Sequence, residues 1–346
     1  SSHSTVFAAL TVDATFSDEN LNAALGGEDG VIATRVTEEV EKYSEVPKLA
    51  RGFGNANNYA SHASTLRGYQ GYDLFAISVG SMAGVQAPTD DPEFYTNIKD
   101  EMDSGDIYAG VAVTPLVLQM GINLGFLLDG LYASFLYGKL KTNVESASFK
   151  FEHNANIIGA NINYSIFSEK SILARSLLWR GISIQAGFIH TDNNFKFFHE
   201  LDTIDGSADV TGVTVNYEID PSVNFELAVN SNIIPVELYT SIRLLYIFNI
   251  GVGGGFDYVF SGETDFSLSS AGEAEITGDG GVSSGYVGDK GKIAIDADTS
   301  GIEPDKFRPK IMANVGLSMG PVFIDLPATY YLDNGFAIGV TAGFVW

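Results

Sequence analysis

The sequence predicts an all-β protein, a transmembrane antiparallel β-barrel of about fourteen strands, preceded by a partly helical N-terminal plug or periplasmic segment. Three observations predict it. From about residue 72 to the end, apolar side chains recur at alternate positions with small or polar ones between, the pattern of strands whose two faces meet different media. No run approaches the ~18–20 consecutive apolar residues of a spanning helix, so a membrane would have to be crossed by a closed sheet, which leaves no backbone group unpaired in hydrocarbon. The chain also has 38 glycines, 23 phenylalanines and 16 tyrosines among 346 residues, yet only 45% apolar residues, which suits two-faced strands rather than a fully buried core.

Composition excludes several functions. There is no cysteine, which removes disulfide frameworks and thiolate metal sites. The net charge of −24, from 43 acids against 19 bases, would repel a phosphate backbone, so no nucleic-acid partner is expected. No hydrophobic leader precedes Ser1, and the sequence is read as an exported chain whose signal peptide has been removed.

Residues 1–71 form the first expected unit and residues 72–346 the barrel. In the first, Ser17 can cap a short helix carrying Leu21, Ala24 and Leu25 that stops at Gly26-Gly27. A second amphipathic pattern, about 31–46, ends at Pro47. The Gly/Asn/Ser-rich stretch from Arg51 to Tyr72 suits irregular backbone held by side-chain hydrogen bonds. Inside a barrel such a segment would be a plug, and outside it a periplasmic extension.

Strands are expected near 72–86, 107–114, 117–127, 130–140, 147–152, 155–168, 183–197, 208–219, 223–231, 236–248, 252–262, 308–319, 322–331 and 334–346. With Trp346 at the periplasmic end, parity makes the segments at about 88–106 and 263–307 long external loops, the first with room for a helix at 92–102. It makes Met319-Gly320-Pro321, Asn249-Ile250-Gly251 and Ile219 to Ser222 short periplasmic turns. The segment 169–181 falls on the periplasmic side and is too long for a turn, and an amphipathic helix is expected there.

A charge facing lipid at mid-membrane would cost about 2–4 kcal/mol, so charges opposite the apolar stripes are assigned to the lumen: Glu218, Glu226, Glu237, Arg243, Asp257 and Asp325. A conduit lined this way would favour cations or neutral solutes. Fourteen strands enclose more space than lining side chains fill, so water, ligand or the N-terminal segment must occupy it. Gly80 and Gly84 in the first strand, Pro115 and Pro327 are candidate strand kinks. The five histidines show no metal-ligand spacing and no catalytic motif stands out, so neither an enzyme nor a resident metal or cofactor is expected. The acids between Glu263 and Asp305 are hard oxygen ligands that suit calcium, but in no EF-hand spacing.

The final strand places Phe336, Ile338, Val340, Ala342, Phe344 and Trp346 on one face and Ala337, Gly339, Thr341 and Gly343 on the other. An ending of this kind resembles the C-terminal strand of bacterial outer-membrane β-barrels. The resemblance implies the outer membrane as location, its lipid and the barrel-insertion machinery as partners, with Ile338, Val340, Phe344 and Trp346 as the insertion signal. The whole layout is similar to that of the long-chain fatty-acid transporter family, in which a plug blocks the lumen and apolar substrate leaves sideways through a kinked strand. The resemblance implies a channel or transporter for small, partly apolar solutes, with a homo-oligomer open as an arrangement. The competing expectation is a structural or surface-exposed envelope or adhesion barrel that transports nothing.

Overall fold

The structure, a computed structural model, describes residues 11–27, 31–32, 46–69, 71–87, 110–146, 149–173, 176–200, 203–279 and 285–346. Their elements are β1 (Thr11–Phe16), α1 (Glu19–Leu25), α2 (Val46–Ala60), β2 (Phe75–Gln86), β3 (Gly110–Val113), β4 (Val117–Asn123), β5 (Leu131–Ser146), β6 (Phe149–Phe167), β7 (Lys170–Leu173), β8 (Leu177–Glu200), β9 (Ile204–Val210), β10 (Val213–Leu244), β11 (Phe248–Gly278), β12 (Lys290–Ile302), β13 (Phe307–Met319), β14 (Val322–Tyr331) and β15 (Gly335–Val345). Most of the segment expected as a second helix, and the whole excursion at 88–106, lie outside the described residues.

Antiparallel pairing runs β2, β4, β5, β6, β8, β10, β11, β13, β14, β15 and back to β2. The sheet therefore closes on itself, the last strand pairing with the first wall strand from Gly335↔Gln86 to Val345↔Ala76. Strand β3 continues the wall position of β4 along β2. The expected count of about fourteen thus becomes ten wall positions among the described residues. The difference has a physical source: polar breaks that read as turns lie inside continuous strands. Residues 208–248 were expected as three strands, yet β10 crosses them unbroken from Val213 to Leu244. The Ile219 to Ser222 turn is therefore absent, and Pro221 is accommodated where neither β9 nor β8 pairs with β10.

Outward side chains form an apolar belt, with Val79, Ile162, Leu238, Val252, Ile311, Val315, Leu326 and Ile338 all exposed. Tyr258, Phe260, Phe307, Tyr330 and Phe336 mark one rim, and Phe75, Tyr164, Phe167, Phe248 and Trp346 the other. An apolar band between two aromatic girdles is what the two faces of a bilayer select.

Strands β10 and β11 continue past the first rim and build, with β9, β12 and β1, a five-stranded sheet in the order β9, β10, β11, β12, β1. The segment expected as a long loop at 263–307 is thus largely an ordered hairpin of β11 and β12. Its alternation is legible afterwards: Glu263, Glu273 and Glu275 are exposed, while Thr264, Phe266, Ala274 and Ile276 are buried. Helix α1 covers the buried face, with Leu21 and Leu25 packed against Phe16, Val215, Tyr217, Ile219, Ala274, Ile276 and Ile293. Its N-cap is Asp18, one residue later than expected, whose carboxylate accepts from the Asn20 and Leu21 amides at 2.8 and 3.1 Å. At the other end, residues 170–173 form β7, hairpinned to β8, where an amphipathic helix was expected.

Candidate functional site

The interior of the ring holds residues 46–69 and 71–72. Pro47 falls in the first turn of α2, where a missing N–H leaves no helical bond unmade, so the proline expected to stop a helix instead opens one. The helix carries Gly52 and Gly54, each costing about 1 kcal/mol relative to alanine. Tertiary contact explains Gly54, where a Cβ would lie 2.5 Å from Thr264 Oγ1, and the wall answers Gly52 with a glycine of its own, since a Cβ on Gly110 would lie 2.2 Å from the Gly52 carbonyl carbon. The same close approach accounts for two expected kinks: Cβ atoms on Gly84 and Gly80 would lie 2.2 and 2.3 Å from the Ala56 and Ala63 carbonyl oxygens. These wall glycines seat the inner segment and leave β2 continuous.

From the upper rim downward the segment is pinned at successive levels. Asn55 Nδ2 donates to Gln86 at 3.0 Å and to Asp305 at 2.9 Å, and its backbone oxygen accepts from Arg308 at 3.2 Å. Tyr59 donates to Gln86 at 2.6 Å, packs its ring at a tilt against Tyr331 with centroids 4.1 Å apart and lies under the Arg308 guanidinium. Asn57 meets Thr191 and Asn193. At mid-height Arg67 forms a two-pronged bridge to Glu237, at 2.6 and 2.5 Å. Lys310 Nζ lies 2.7 Å from Glu237 and 2.6 Å from Asp257, and Asp257 also takes His62 at 3.1 Å and Tyr331 at 2.9 Å. Lower down, Tyr69 stacks at 3.8 Å on Phe323 and donates to Asp325 at 3.2 Å, with Asn314 donating to the same oxygen at 2.5 Å. Tyr72 meets Tyr132 edge-on near the lower rim.

Two bases and two acids close the mid-height charge balance. Arg67, Lys310, Glu237 and Asp257 are all buried, so each charge depends on its partners; removing one partner of such a buried pair costs about 3–5 kcal/mol. His62, Glu237 and Asp257 bring possible ligand atoms within 4.8 Å of one another, but the Lys310 ammonium already bridges both carboxylates, which makes the cluster a latch between inner segment and wall.

Of the six residues assigned to the lumen, Glu237, Asp257 and Asp325 are inside and bound to the inner segment or its wall partners, and Arg243 faces inward near the lower rim. Two assignments are corrected. Glu218 is exposed on the upper sheet. Glu226 lies on the outer surface, where it accepts from Asn194 at 2.9 Å and Lys196 at 2.9 Å, while its neighbours Leu227 and Val229 turn inward against Ala50 of α2. The cause is a change of medium along one strand. Odd-numbered residues of β10 such as Tyr217, Leu227, Val229, Glu237 and Tyr239 are all buried on the inner face, but beyond the belt the outside is water, so the apolar residues move to the inner face there. Pro115 does mark a break, separating β3 from β4, and at Leu326-Pro327 the β14 ladder to β15 lapses while that to β13 continues. Ile338, Val340 and Trp346 are exposed on the belt, and Phe344 stacks at 6.1 Å on Trp346. Lys310, Arg308, His62 and Arg67 are further inward residues beyond those expected; Lys310 and Arg308 alternate with the outward Phe307, Pro309 and Ile311 on β13, so their facing is legible in the sequence.

A closed antiparallel barrel with an apolar outer belt, its interior occupied by its own N-terminal chain, defines a transmembrane β-barrel of the outer-membrane type. Within that class, the chain belongs to the Lsa36-like family, whose sequence profile matches residues 8–346. No curated protein matches it in sequence. Among solved structures it is similar to the translocator domain of the autotransporter NalP from Neisseria meningitidis, at 7% identity and TM-score 0.33, covering 89% of this chain and 98% of that one. The Ralstonia pickettii toluene transporter TbuX matches at 6% identity and TM-score 0.28, covering 86% and 99%. A Pseudomonas aeruginosa FadL homologue matches at 8% identity and TM-score 0.25, covering 84% and 98%. Likenesses this slight carry no argument about what the chain binds or moves.

Proposed function

We propose that the chain is a non-catalytic, surface-exposed barrel of the bacterial outer membrane, closed to solutes, whose work is done by the five-stranded sheet it carries above the membrane. The observation that carries this reading is the occupied lumen: residues 46–69 and 71–72 touch the wall at every level from Asn55 to Tyr72, and the tightest points are backbone against backbone. With Trp346 on the periplasmic side, the upper sheet faces the cell's surroundings. Outer-membrane lipid and the insertion machinery are the partners this placement requires. Full-length protein in planar bilayers is expected to insert without stable conductance, and steady single-channel currents from the unaltered chain would overturn the reading.

One observation favours a second reading, transport of small apolar solutes with residues 46–72 as a resting plug. Strand β3 pairs with β2 and leans on α2, but among the described residues it forms no ladder with β5, whose residues 139–146 pair with β6 alone. The wall therefore has a seam above Pro115 through which an apolar solute could enter from the side. Under this reading liposomes containing the protein equilibrate a fluorescent aromatic hydrocarbon faster than protein-free liposomes; equal rates remove it.

A further inference from the structure

We propose that the Trp346 end of the lumen is a binding site for a phosphate or carboxylate group, held by Arg180 and Arg243. A bulge builds it. Trp179 pairs with Ile242 and Ile182 with Thr240, so Arg180 and Gly181 stand opposite the single residue Ser241. Gly181 has φ +78°, and a Cβ there would lie 1.8 Å from the Phe167 carbonyl oxygen, so the position demands glycine. The extra residue turns Arg180 to the inner face, beside Arg243 of β10 and over the Tyr69 ring at 5.4 Å.

Both guanidiniums line a cavity of about 240 Å³ with Tyr69, Ser318, Glu169 and Asp73. Arg180 Nε, Arg243 Nε and Ser318 Oγ are shielded from solvent and have no hydrogen-bond partner among the described residues. Among the described residues neither arginine has a carboxylate within 4.0 Å, whereas the buried Arg67, Arg308 and Lys310 each reach one. Glu169 and Asp73 share the cavity but are exposed to solvent. Two adjacent like charges with unused donors are an arrangement that an anion completes, and a planar guanidinium fork matches phosphate and carboxylate oxygens. The same chemistry could come from a free anion or from the phosphate of a lipid at the nearby rim, where Trp346 is exposed.

The chain's two tryptophans, Trp179 and Trp346, flank the site, so intrinsic fluorescence reports on it. Full-length protein in a phosphate-free sugar detergent is titrated with inorganic phosphate and, separately, with short-chain phosphatidylglycerol. A saturable change is expected with at least one of them. Arg180→Gln and Arg243→Gln should each weaken it by about tenfold or more, the loss of one charge-assisted hydrogen bond, while Arg180→Lys retains part of it. Response to phosphate identifies a free-anion site, and response to the lipid alone a headgroup site; both support the proposal. Glu169→Gln should leave affinity unchanged or tighten it. No saturable change, an equal change in the doubly substituted chain, or binding lost in Glu169→Gln overturns the proposal. Heat-modifiable migration on gels confirms that each variant is folded.

Discussion

At the scale of the residue, the side chains that matter most are those whose charge is shared between wall and inner segment. Glu237 holds both Arg67 and Lys310, so Glu237→Gln leaves buried positive charge unbalanced. That change is expected to cost about 3–5 kcal/mol and to lower the temperature at which the folded band converts on a heat-modifiability gel; an unchanged conversion temperature would show that the latch contributes little. Glu226 offers the contrast. Paired on the outer surface with Asn194 and Lys196, it is a solvent-exposed ion pair worth about 0–1 kcal/mol. Glu226→Gln should therefore leave both conversion temperature and any ion selectivity where they were. A shift in selectivity would return Glu226 to the lumen.

At the scale of the element, α2 and the upper sheet depend on different contacts and should fail separately. Gly84→Val would drive a side chain into the Ala56 carbonyl, so α2 must shift while β2 keeps its pairing. A cysteine at Ala56, buried in the unaltered chain, should become reactive to a water-soluble maleimide in that background and stay protected without it. The upper sheet rests on the cluster around Leu21, Tyr217 and Ile276. Ile276→Ala should destabilise it by about 2–5 kcal/mol, read as faster amide exchange in β9 to β12 beyond the belt. Exchange in β13 to β15 should not change, and global acceleration would mean that sheet and barrel form one cooperative unit.

At the scale of the whole molecule, closure and filling decide what the barrel can do. Ten strands enclose a narrower space than fourteen, and one polypeptide segment fills it. Deleting residues 1–72 should open that space and give conductance without preventing insertion. Inside, Glu237, Asp257 and Asp325 face Arg180, Arg243, Arg308 and Lys310, so the emptied barrel should show little cation preference in reversal-potential measurements, contrary to what the acids alone would give. A strong preference for cations would mean that exposed acids such as Asp73 and Glu169 at the mouth control the passage.

What the sequence by itself determined is the class of fold and the two ends of its belt. Alternation along β13, β14 and β15, from Phe307 to Val345, is a local property, imposed residue by residue by lipid outside and a confined interior. The strand count, the fate of 263–307 and the facing of Glu226 were decided by tertiary structure. Each turns on which medium a face meets at a given height, and the same rule of alternation puts Leu227 inside and Leu238 outside on one strand. Sequence separation hid the latch as well: Arg67 and Glu237 stand 170 residues apart. Only closure of the ring around the inner segment brings them to one place, where burial makes each charge require the other.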